Sequence, residues 1–419
     1  MKIRELNIQE FKEYVEMNPL KSYMQTEEYA RIMGENGYNY DYIGLINDNG
    51  KIVAASLILF KKIGFNQRYG YAPKGFLINY YDEALVREFI ERLKEYYAKK
   101  NIVFIKINPE IVVSEVNPKT FELKENPNVN LKQSLQRYDF IKLKDNLYFE
   151  SLVPRFNAYI DLKNSRLENY SKANRNKVRN ADRKGLYLFK GEGADIEEFF
   201  KMTNSNKTLE YYNSFYRIFN QTGKVELILV KVDYERYIKN CQELYDRELN
   251  INSLLNEIIH RSHKMSDLNR KMASDSRLTI IKNEIIEATE GLRDNNNRVV
   301  AGALVLKYDN RVHVIASGFD RKFSHLNANY FLHDKLIERY KDDFEYLDIG
   351  AVSGDFKKTS PYHGLNRFKL GFNPHIYENI GEFDLVLNRM NYDYLLSIGK
   401  LTNEFKKDKK KKKKTADKK

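Results

Sequence analysis

The sequence predicts an α/β (α+β) protein of two similar lobes, with an antiparallel helical hairpin inserted into the second lobe. The order of a strand hairpin, a helix and a strand occurs twice along the chain, which predicts two lobes of one type. The stretch from 234 to 292 instead has the apolar spacing of a coiled coil. A length of 419 residues also exceeds the usual size of one compact domain.

These observations divide the chain into four parts. We expect the first lobe at residues 1–154, the second at 155–233 and 293–400, the arm at 234–292, and a polybasic tail at 401–419. No sequence identity relates the two lobes, so their likeness depends on the order of elements alone.

In the first lobe, helical spacing in IQEFKEYVEM and TEEYARIMGENG predicts two short helices. DYIGLINDNGKIVAASLILFKKI predicts a strand hairpin, with NDNG as its turn. DEALVREFIERLKEYYAKK predicts an amphipathic helix with one face formed by Leu85, Phe89, Leu93 and Tyr96. NIVFIKINPEI follows as a buried strand, and the Pro- and Asn-rich stretch 114–130 is expected to be loop.

The second lobe repeats this order with additions of its own. Residues 155–162 predict a strand, ENYSKANRNKVRNADRKG a strongly basic helix, DIEEFFKMTNSNK another helix, and KVELILVKV a strand. RVVAGALVLKYDNRVHVIASGFD then predicts a hairpin with DN at its turn. The helix ANYFLHDKLIERYKDD and the strand FEYLDIG follow.

The arm is predicted from a coiled-coil seam interrupted by Glu248 and Ser262. The seam positions are Tyr237, Cys241, Leu244, Ile251, Leu255, Ile258 and Met265. After HKMSD, a second helix places Ile281, Ile285, Ala288 and Leu292 on one side, and Gly291 with the polar RDNNN is expected to end it. Such an arm contacts something outside its own domain, or pairs in a homodimer; the alternative is a helical subdomain packed flat on the lobes.

Charge is concentrated at the end of the chain. The net charge is +13, of which residues 405–419 contribute +8 through ten Lys and two Asp. We expect this tail to be disordered and attracted to an anionic membrane surface, or to RNA; a merely solubilising end is the alternative. A single cysteine, a charged N-terminus and no long apolar run predict a cytoplasmic protein peripheral to the inner face of the membrane.

Several common site patterns are missing from the sequence. His260 and His263 share a helix face, but no Cys or carboxylate set completes a metal site. No Walker lysine loop or dinucleotide fingerprint is present. QRYGYA, residues 67–72, fits a loose pattern for binding the coenzyme A pyrophosphate, but that chemistry needs a helix N-terminus directly after it. Here Pro73 and an extended stretch follow, and the helix starts near Asp82, so we predict no coenzyme A site.

The stretch PYHGLNRFKLGFNP, residues 361–374, surrounds Arg367 and Lys369 with two prolines, two glycines and aromatic residues. Gly permits unusual backbone dihedrals and Pro restricts the chain to one shape. We therefore predict a shaped loop that presents this basic pair to a ligand.

Taken together, several stretches resemble the FemABX family of peptidoglycan-bridge aminoacyltransferases, in the family's order and over nearly the whole chain. The matching positions are Gln25 and Tyr29; 71 to 75; Arg175, Val178, Arg179, Ala181 and Gly185; 302 to 306; Gly364, Leu365, Phe368, Lys369, Gly371 and Phe372; and 381 to 384. The motif around Lys369 is the most specific of these.

This resemblance implies two acetyltransferase-like (GNAT) lobes and a tRNA-dependent reaction without metal or organic cofactor. An amino acid of the Gly, Ala or Ser class would pass from aminoacyl-tRNA to the stem-peptide amine of lipid II or UDP-MurNAc-pentapeptide. A helical hairpin in the second lobe is similar to that of relatives acting on the lipid-linked precursor.

The resemblance also implies roles for particular residues. Lys369, after Phe368, would stabilise negative charge on the ester carbonyl oxygen. Arg367 would meet precursor phosphate. The other substrate-binding positions would be Tyr71, Lys74, Asn108, Lys207 and Tyr211. The basic helix would bind tRNA or diphosphate through Arg175, Lys177, Arg179, Arg183 and Lys184.

The sequence departs from the family pattern at four positions. Asn108 replaces a carboxylate, Phe76 a proline, Lys207 an arginine, and Met33 a lysine found in some members. Two other functions remain open at this point: an acyl-coenzyme A-dependent N-acyltransferase on the same lobes, and a non-catalytic RNA-binding or scaffold protein that uses the arm and tail.

Overall fold

A computed structural model describes residues 1–64, 66–262 and 264–401. The predictions for His263 and for all of the polybasic tail after Leu401 fall outside these residues. No helix within the described ranges is long and apolar enough to cross a bilayer.

The first part of the chain forms a twisted sheet with helices packed on it. Its elements are β1 (Lys2–Glu5), α1 (Ile8–Met17), α2 (Glu27–Glu35), β2 (Asn39–Ile46), β3 (Ile52–Gly64), β4 (Gln67–Ala72), α3 (Glu83–Tyr97), β5 (Ile102–Ile107), β6 (Val112–Val116), β7 (Leu123–Glu125), α4 (Leu131–Arg137) and β8 (Phe140–Ile141). Asp82 caps α3 by accepting from the Leu85 amide. The predicted hairpin β2–β3 and its turn are confirmed.

The remaining chain supplies a second sheet, the arm and two returning segments. Its elements are β9 (Phe156–Asp161), α5 (Lys172–Arg183), β10 (Leu186–Gly191), α6 (Ile196–Met202), α7 (Leu209–Asn220), β11 (Val225–Val232), α8 (Tyr234–Ser262), α9 (Met265–Asn295), β12 (Arg298–Tyr308), β13 (Arg311–Phe319), α10 (Ala328–Tyr340), β14 (Tyr346–Val352), α11 (His363–Leu370), β15 (His375–Asn379), β16 (Phe383–Val386) and α12 (Arg389–Ser397). The predicted hairpin β12–β13 is confirmed.

The two sheets exchange strands across the predicted boundary at residue 154. The first sheet has the order β1-β2-β3-β4-β5-β16-β8, and the second β10-β11-β12-β13-β14-β9-β15-β6-β7. Strands β6 and β7 of the first part therefore lie in the second sheet, and β16 returns from the C-terminal part to the first. A shared apolar core, with Leu57 from the first sheet and Phe215 and Leu304 from the second part, joins the lobes.

Three local predictions were wrong. Residues 114–130, expected to be loop, contain the end of β6 and all of β7, which pair at the edge of the second sheet. The helix predicted over DIEEFFKMTNSNK ends at Met202. Helix α7 was not predicted, although its Phe215 and Phe219 are fully buried between the lobes. Long-range pairing decides the strand β7, whereas α7 carries the local spacing of an amphipathic helix, with Tyr211, Phe215 and Ile218 on its buried face.

The stretch 361–374 is not an extended loop, because α11 occupies its centre. Pro361 precedes the first helical turn, where a missing N–H costs nothing. Gly371 has a helical φ of −63°, so it is not needed for a left-handed turn. A Cβ on Gly371 would instead lie 2.3 Å from the Asn174 side chain, so this glycine allows close approach of α5.

The predicted antiparallel arm is confirmed in α8 and α9, but its seam is only partly as expected. Ile251, Ile258 and Met265 are exposed, while Asn252 and Ser274 are buried between the helices. The Asn252 amide donates to the Ser274 hydroxyl, which in turn donates to Glu248. A straight helix drifts by about 20° per heptad from a strict seven-residue repeat. The face of α8 that meets α9 is therefore shifted from the predicted seam, and the polar pair Asn252 and Ser274 lies there instead of Ile251.

The base of the arm is part of the second lobe. Tyr237 and Cys241 of α8 and Ala288 of α9 are buried in the core of that lobe. Gly291 lies within α9 rather than ending it, because the Tyr234 ring packs where a Cβ would be. A Schellman-type stop is therefore not formed there, and α9 continues for one more turn.

Candidate active site

A cavity of about 740 Å³ opens in the second lobe. Strands β13 and β14, helices α10 and α11, and the segment after α6 enclose it, and its lining includes Thr203, Ser317, Arg321, His333, Phe368 and Lys369. Size and shape suit a small ligand group with a few polar contacts. The cavity therefore brings together two of the predicted residues, Phe368 and Lys369, with others that the sequence did not single out.

Lys369 lies in the last turn of α11 with its ammonium group in this cavity. Its Nζ donates a hydrogen bond of 2.8 Å to the carbonyl of Ala351, and no carboxylate of the described residues forms an ion pair with it. Burial lowers the pKa of Lys369 to about 8, although the charge of Asp348 acts in the opposite direction. Lys369 is therefore still mostly protonated at neutral pH but loses its proton more easily than an ordinary lysine, and its hydrogen-bond partner is a carbonyl.

Two asparagines fix the position of α11. The buried side chain of Asn366 accepts from the Ser353 amide at 2.9 Å and donates to the Ser353 carbonyl at 2.8 Å. Asn174 of α5 donates to the carbonyl of Phe368 at 3.0 Å. Because the last carbonyls of a helix lack partners within the helix, this second contact also completes its C-terminus. Lys369 is therefore presented on a rigid element.

Aromatic rings form one wall of the cavity. The Phe368 ring lies edge-on to Tyr330 and to His333, each with ring centroids 4.9 Å apart. Phe372, fully buried, packs behind them. Burial lowers the pKa of His333 to about 4, with a smaller contribution from Lys369. This apolar wall lies beside the Lys369 ammonium, and an apolar surrounding strengthens the electrostatic effect of a charge on a bound group.

A second polar cluster lies where the two lobes meet. Lys74 and Arg311 both form ion pairs with Glu110, Lys74 at 3.4 Å. Burial raises the pKa of Glu110, but these two cations outweigh it and hold the pKa near 2. The Asn108 side chain accepts from the Lys74 amide at 3.0 Å. Asn108 and Lys74 are therefore in contact; the Lys74 ammonium is paired with Glu110, whereas the Asn108 Nδ2 is buried without a hydrogen-bond partner among the described residues.

Tyr71, Tyr211 and Lys207 lie away from Lys369. Tyr71 and Tyr211 are buried in the core shared by the lobes. The Lys207 ammonium lies 5.0 Å above the Tyr211 ring, so these two residues meet as a cation–π pair. None of the three lines the cavity.

The basic helix α5 divides into structural and exposed cations. Arg175 donates to the carbonyls of Glu168 and Tyr170, and the buried Lys184 donates to the His325 carbonyl and pairs with Glu284 of the arm. Arg179 and Arg183 are exposed. Lys184 is therefore unsuited to contact a ligand, and only part of the predicted anion-binding set is available.

Two further cations stand in different places. Lys177 donates to the Tyr330 hydroxyl at 2.9 Å, which connects it to the cavity wall. Arg367 is exposed on α11 and is not part of the cavity lining, whereas Arg321 is. Arg321 is thus a candidate for meeting phosphate near the cavity that the sequence did not suggest.

His333, Arg321 and Asp348 were missed from the sequence. A signal for His333 was available, because it lies on the apolar face of the helix ANYFLHDKLIERY, where an ionisable side chain is unusual. Asp348 is on the strand FEYLDIG, and it pairs with His313 at 3.1 Å. Its proximity to Lys369 arises only from the packing of α11 on β14.

The residues that the structure describes include no group of three or more His, Cys, Asp or Glu placed to hold a metal ion. The QRYGYA stretch is strand β4, paired with β3 and β5. Its amides are used in the sheet, whereas a pyrophosphate site of this type needs free amides at a helix N-terminus.

The chain is similar to known proteins over nearly its whole length. The model of the FemAB family matches residues 6–400. Aminoacyltransferase FemB of Staphylococcus epidermidis is 27% identical, over 97% of this chain and 100% of that protein. Lipid II:glycine glycyltransferase of Staphylococcus aureus is 24% identical, over 93% and 94%. The crystal structure of FemX shares the fold, with a TM-score of 0.71 at 19% identity, over 94% of this chain and 100% of FemX.

Proposed function

The chain belongs to the FemAB family, and from this premise we propose that it is an aminoacyltransferase that acts on a peptidoglycan precursor. The names of its relatives support the proposal, since one is an aminoacyltransferase and another a glycyltransferase that uses lipid II. The finer proposal is that the donor is an aminoacyl-tRNA and the acceptor a stem-peptide amine on a lipid-linked or UDP-linked precursor.

In this reaction the amine nitrogen attacks the ester carbonyl carbon at the 3′ end of the RNA. A C–N bond forms, the ester C–O bond breaks, and the RNA hydroxyl leaves with a proton while the amine loses one. Negative charge develops on the carbonyl oxygen before the C–O bond breaks. A preorganised donor directed at that oxygen typically lowers the barrier by about 3–4 kcal/mol.

The observation that carries the proposal is the state of Lys369. Its ammonium lies in a cavity, bound to one carbonyl and to no carboxylate of the described residues. A buried cation of this kind is unfavourable until an anion approaches it. The oxyanion of the attacked ester is such a partner, and Phe368 beside it shields the pair from water.

The proton of the attacking amine is removed without an obvious side-chain base. Asn108 has an amide in place of a carboxylate, and the two cations beside Glu110 keep its pKa near 2. A group with so low a pKa is a weak base at neutral pH. We therefore assign proton removal to water or to the leaving RNA oxygen.

The partners follow from the charges. The exposed Arg179 and Arg183, with Arg321 at the cavity, would contact RNA phosphates. The Lys-rich tail would hold the protein at an anionic membrane surface, on the cytoplasmic side where the precursors are made. The arm, with apolar residues exposed on it, would provide contacts for a second copy or for the membrane-bound substrate.

The test mixes the purified full chain with charged tRNAs and either lipid-linked or UDP-linked muropeptide. Mass spectrometry would then look for one added amino-acid residue on the stem peptide. We expect product with the parent and with Lys358→Ala, an exposed control, and little with Lys369→Ala. Failure of every donor–acceptor pair, or full activity of Lys369→Ala, would contradict the proposal.

A further inference from the structure

His333 presents a hydrogen-bond acceptor to the cavity. Its Nδ1 lies 2.9 Å from the carbonyl oxygen of Asn329, one turn earlier on α10. A carbonyl can only accept, so Nδ1 carries the proton and Nε2 is left as an acceptor. No group among the described residues donates to Nε2, and the His333 side chain is only 2% exposed.

The His333 ring is kept neutral, and its position is fixed by neighbouring aromatic rings. Burial and the charge of Lys369 keep the imidazole neutral, since they lower its pKa to about 4. The Phe368 ring meets it edge-on, and the Phe372 ring stacks at a centroid distance of 5.7 Å. At neutral pH, Nε2 is therefore a fixed acceptor within the same cavity as the Lys369 ammonium.

Nε2 is not among the solvent-inaccessible side-chain atoms that lack a partner in the described residues, so it is open to the cavity that His333 lines. A ligand that filled the cavity without donating to Nε2 would leave this acceptor unpaired at a cost, so the ligand is expected to supply a donor. In an α-aminoacyl ester, the amino group is on the carbon next to the carbonyl. With the carbonyl oxygen directed at Lys369, the amino group comes to the neighbouring part of the cavity. The positive charge of Lys369 disfavours an ammonium there, so the amino group binds neutral and donates an N–H.

We propose that His333 is a specificity-determining residue, whose Nε2 accepts a hydrogen bond from the α-amino group of the donor ester. The proposal rests on the aminoacyltransferase function given above and adds how the site selects its donor. A plain acyl group would fill the same space but leave Nε2 unpaired. Sites built around such a polar contact reject ligands that lack it more strongly than apolar pockets reject a size change.

The experiment compares three donors that differ in one group. The same RNA minihelix carries an alanyl, a lactyl or a propionyl ester, of nearly equal size, with an amine, a hydroxyl or no donor group. We expect the parent to use the alanyl and lactyl esters with kcat/KM roughly tenfold to a hundredfold above the propionyl ester. His333→Phe should reduce this ratio to near one, mainly by slowing alanyl transfer. His333→Gln, which retains an acceptor, should keep most of the ratio.

Two results would overturn the proposal. One is equal use of propionyl and alanyl esters by the parent, a measurement that needs no variant and so does not depend on the folding of His333→Phe. The other is an unchanged ratio in a folded His333→Phe. If the parent transfers none of the three groups and also no amino acid from any charged tRNA, the aminoacyltransferase function itself fails, and the role of His333 with it. If the transfer test identifies glycine or serine as the donor, the three esters carry that side chain and the same comparison applies.

Discussion

Two buried lysines in different regions of the molecule show opposite electrostatics. Lys106, where β16 joins the first sheet, pairs with Asp384 at 2.7 Å and Glu382 at 3.4 Å. Burial lowers the pKa of Lys106, but the two carboxylates outweigh it and leave the pKa above its ordinary value. Lys369, in the cavity of the second lobe, donates to the Ala351 carbonyl and forms no ion pair with another described residue, and burial lowers its pKa to about 8.

The comparison indicates that the charge of Lys106 stabilises the fold, whereas the charge of Lys369 is available to a ligand. The carboxylates beside Lys106 are themselves held, because Glu382 accepts from the amides of 151–153 and Asp384 accepts from the Tyr392 hydroxyl. This network ties the returning strand β16 to the connection between the lobes. Around Lys369, in contrast, helix α11 holds a cation with which no carboxylate of the described residues forms an ion pair, and such groups cluster at functional sites.

The largest expected effect is on the paired lysine. Lys106→Met should lower the free energy of unfolding by about 3–5 kcal/mol, because it leaves the buried Asp384 and Glu382 without their cation. Urea unfolding monitored by circular dichroism would measure the change. Lys132→Met, at a partly exposed lysine, is the control and should change stability by less than about 1 kcal/mol. Similar stabilities of Lys106→Met and the control would refute the comparison.

The next effect concerns catalysis at the unpaired lysine. Lys369→Met should lower kcat about 10²–10³-fold, equivalent to about 3–4 kcal/mol, because the oxyanion loses its donor. Lys369→Arg should retain part of the activity, since the charge remains but its geometry changes. Single-turnover transfer with a defined donor and acceptor would measure both. Loss of substrate binding with an unchanged kcat would show that Lys369 binds rather than catalyses.

The same substitution should make the protein more stable. The pKa of Lys369 in the folded protein, about 8, is below its ordinary value of 10.5, so the unfolded chain binds more protons between these values. The folded state of the parent is therefore penalised below pH 8, and the penalty disappears as pH rises through 10.5. At pH 7, Lys369→Met should have a free energy of unfolding about 1–3 kcal/mol higher than that of the parent, and this difference should shrink toward pH 10. Urea unfolding at several pH values would measure it. A destabilised Lys369→Met would mean that the lysine supports the fold as Lys106 does.

The smallest effect refines the origin of the pKa. Transfer activity of the parent is divided by that of Lys369→Arg at each pH, because the acceptor amine titrates in the same way in both assays. We expect this activity ratio to fall as the pH rises through about 8, where Lys369 loses its charge. Asp348 raises the pKa of Lys369, so Asp348→Asn should move this fall to lower pH by roughly one unit or less. The isosteric amide keeps an oxygen for the Gly350 amide. An unmoved midpoint would exclude Asp348 as the charge that acts on Lys369.

Local patterns in the sequence predicted most of the elements, the arm and the family, but not strand β7 or helix α7. Local spacing sufficed for the hairpins β2–β3 and β12–β13 and for the two arm helices, because their contacts are close in sequence. The family motif also singled out Phe368 and Lys369, and the structure places both in the lining of the cavity. These predictions depend on residue order and periodicity, which the chain carries locally.

Which charges are paired depends on contacts between residues far apart in the chain. Lys106 and Lys369 both follow apolar residues. Nothing near them in the sequence shows that Lys106 meets two carboxylates, while Lys369 forms an ion pair with none among the described residues. Likewise, the exchange of β6 and β16 between the sheets and the position of His333 beside Phe368 join residues far apart in the chain. The energy of a buried charge depends on what surrounds it in three dimensions, so the active lysine is distinguished by packing rather than by its sequence neighbours.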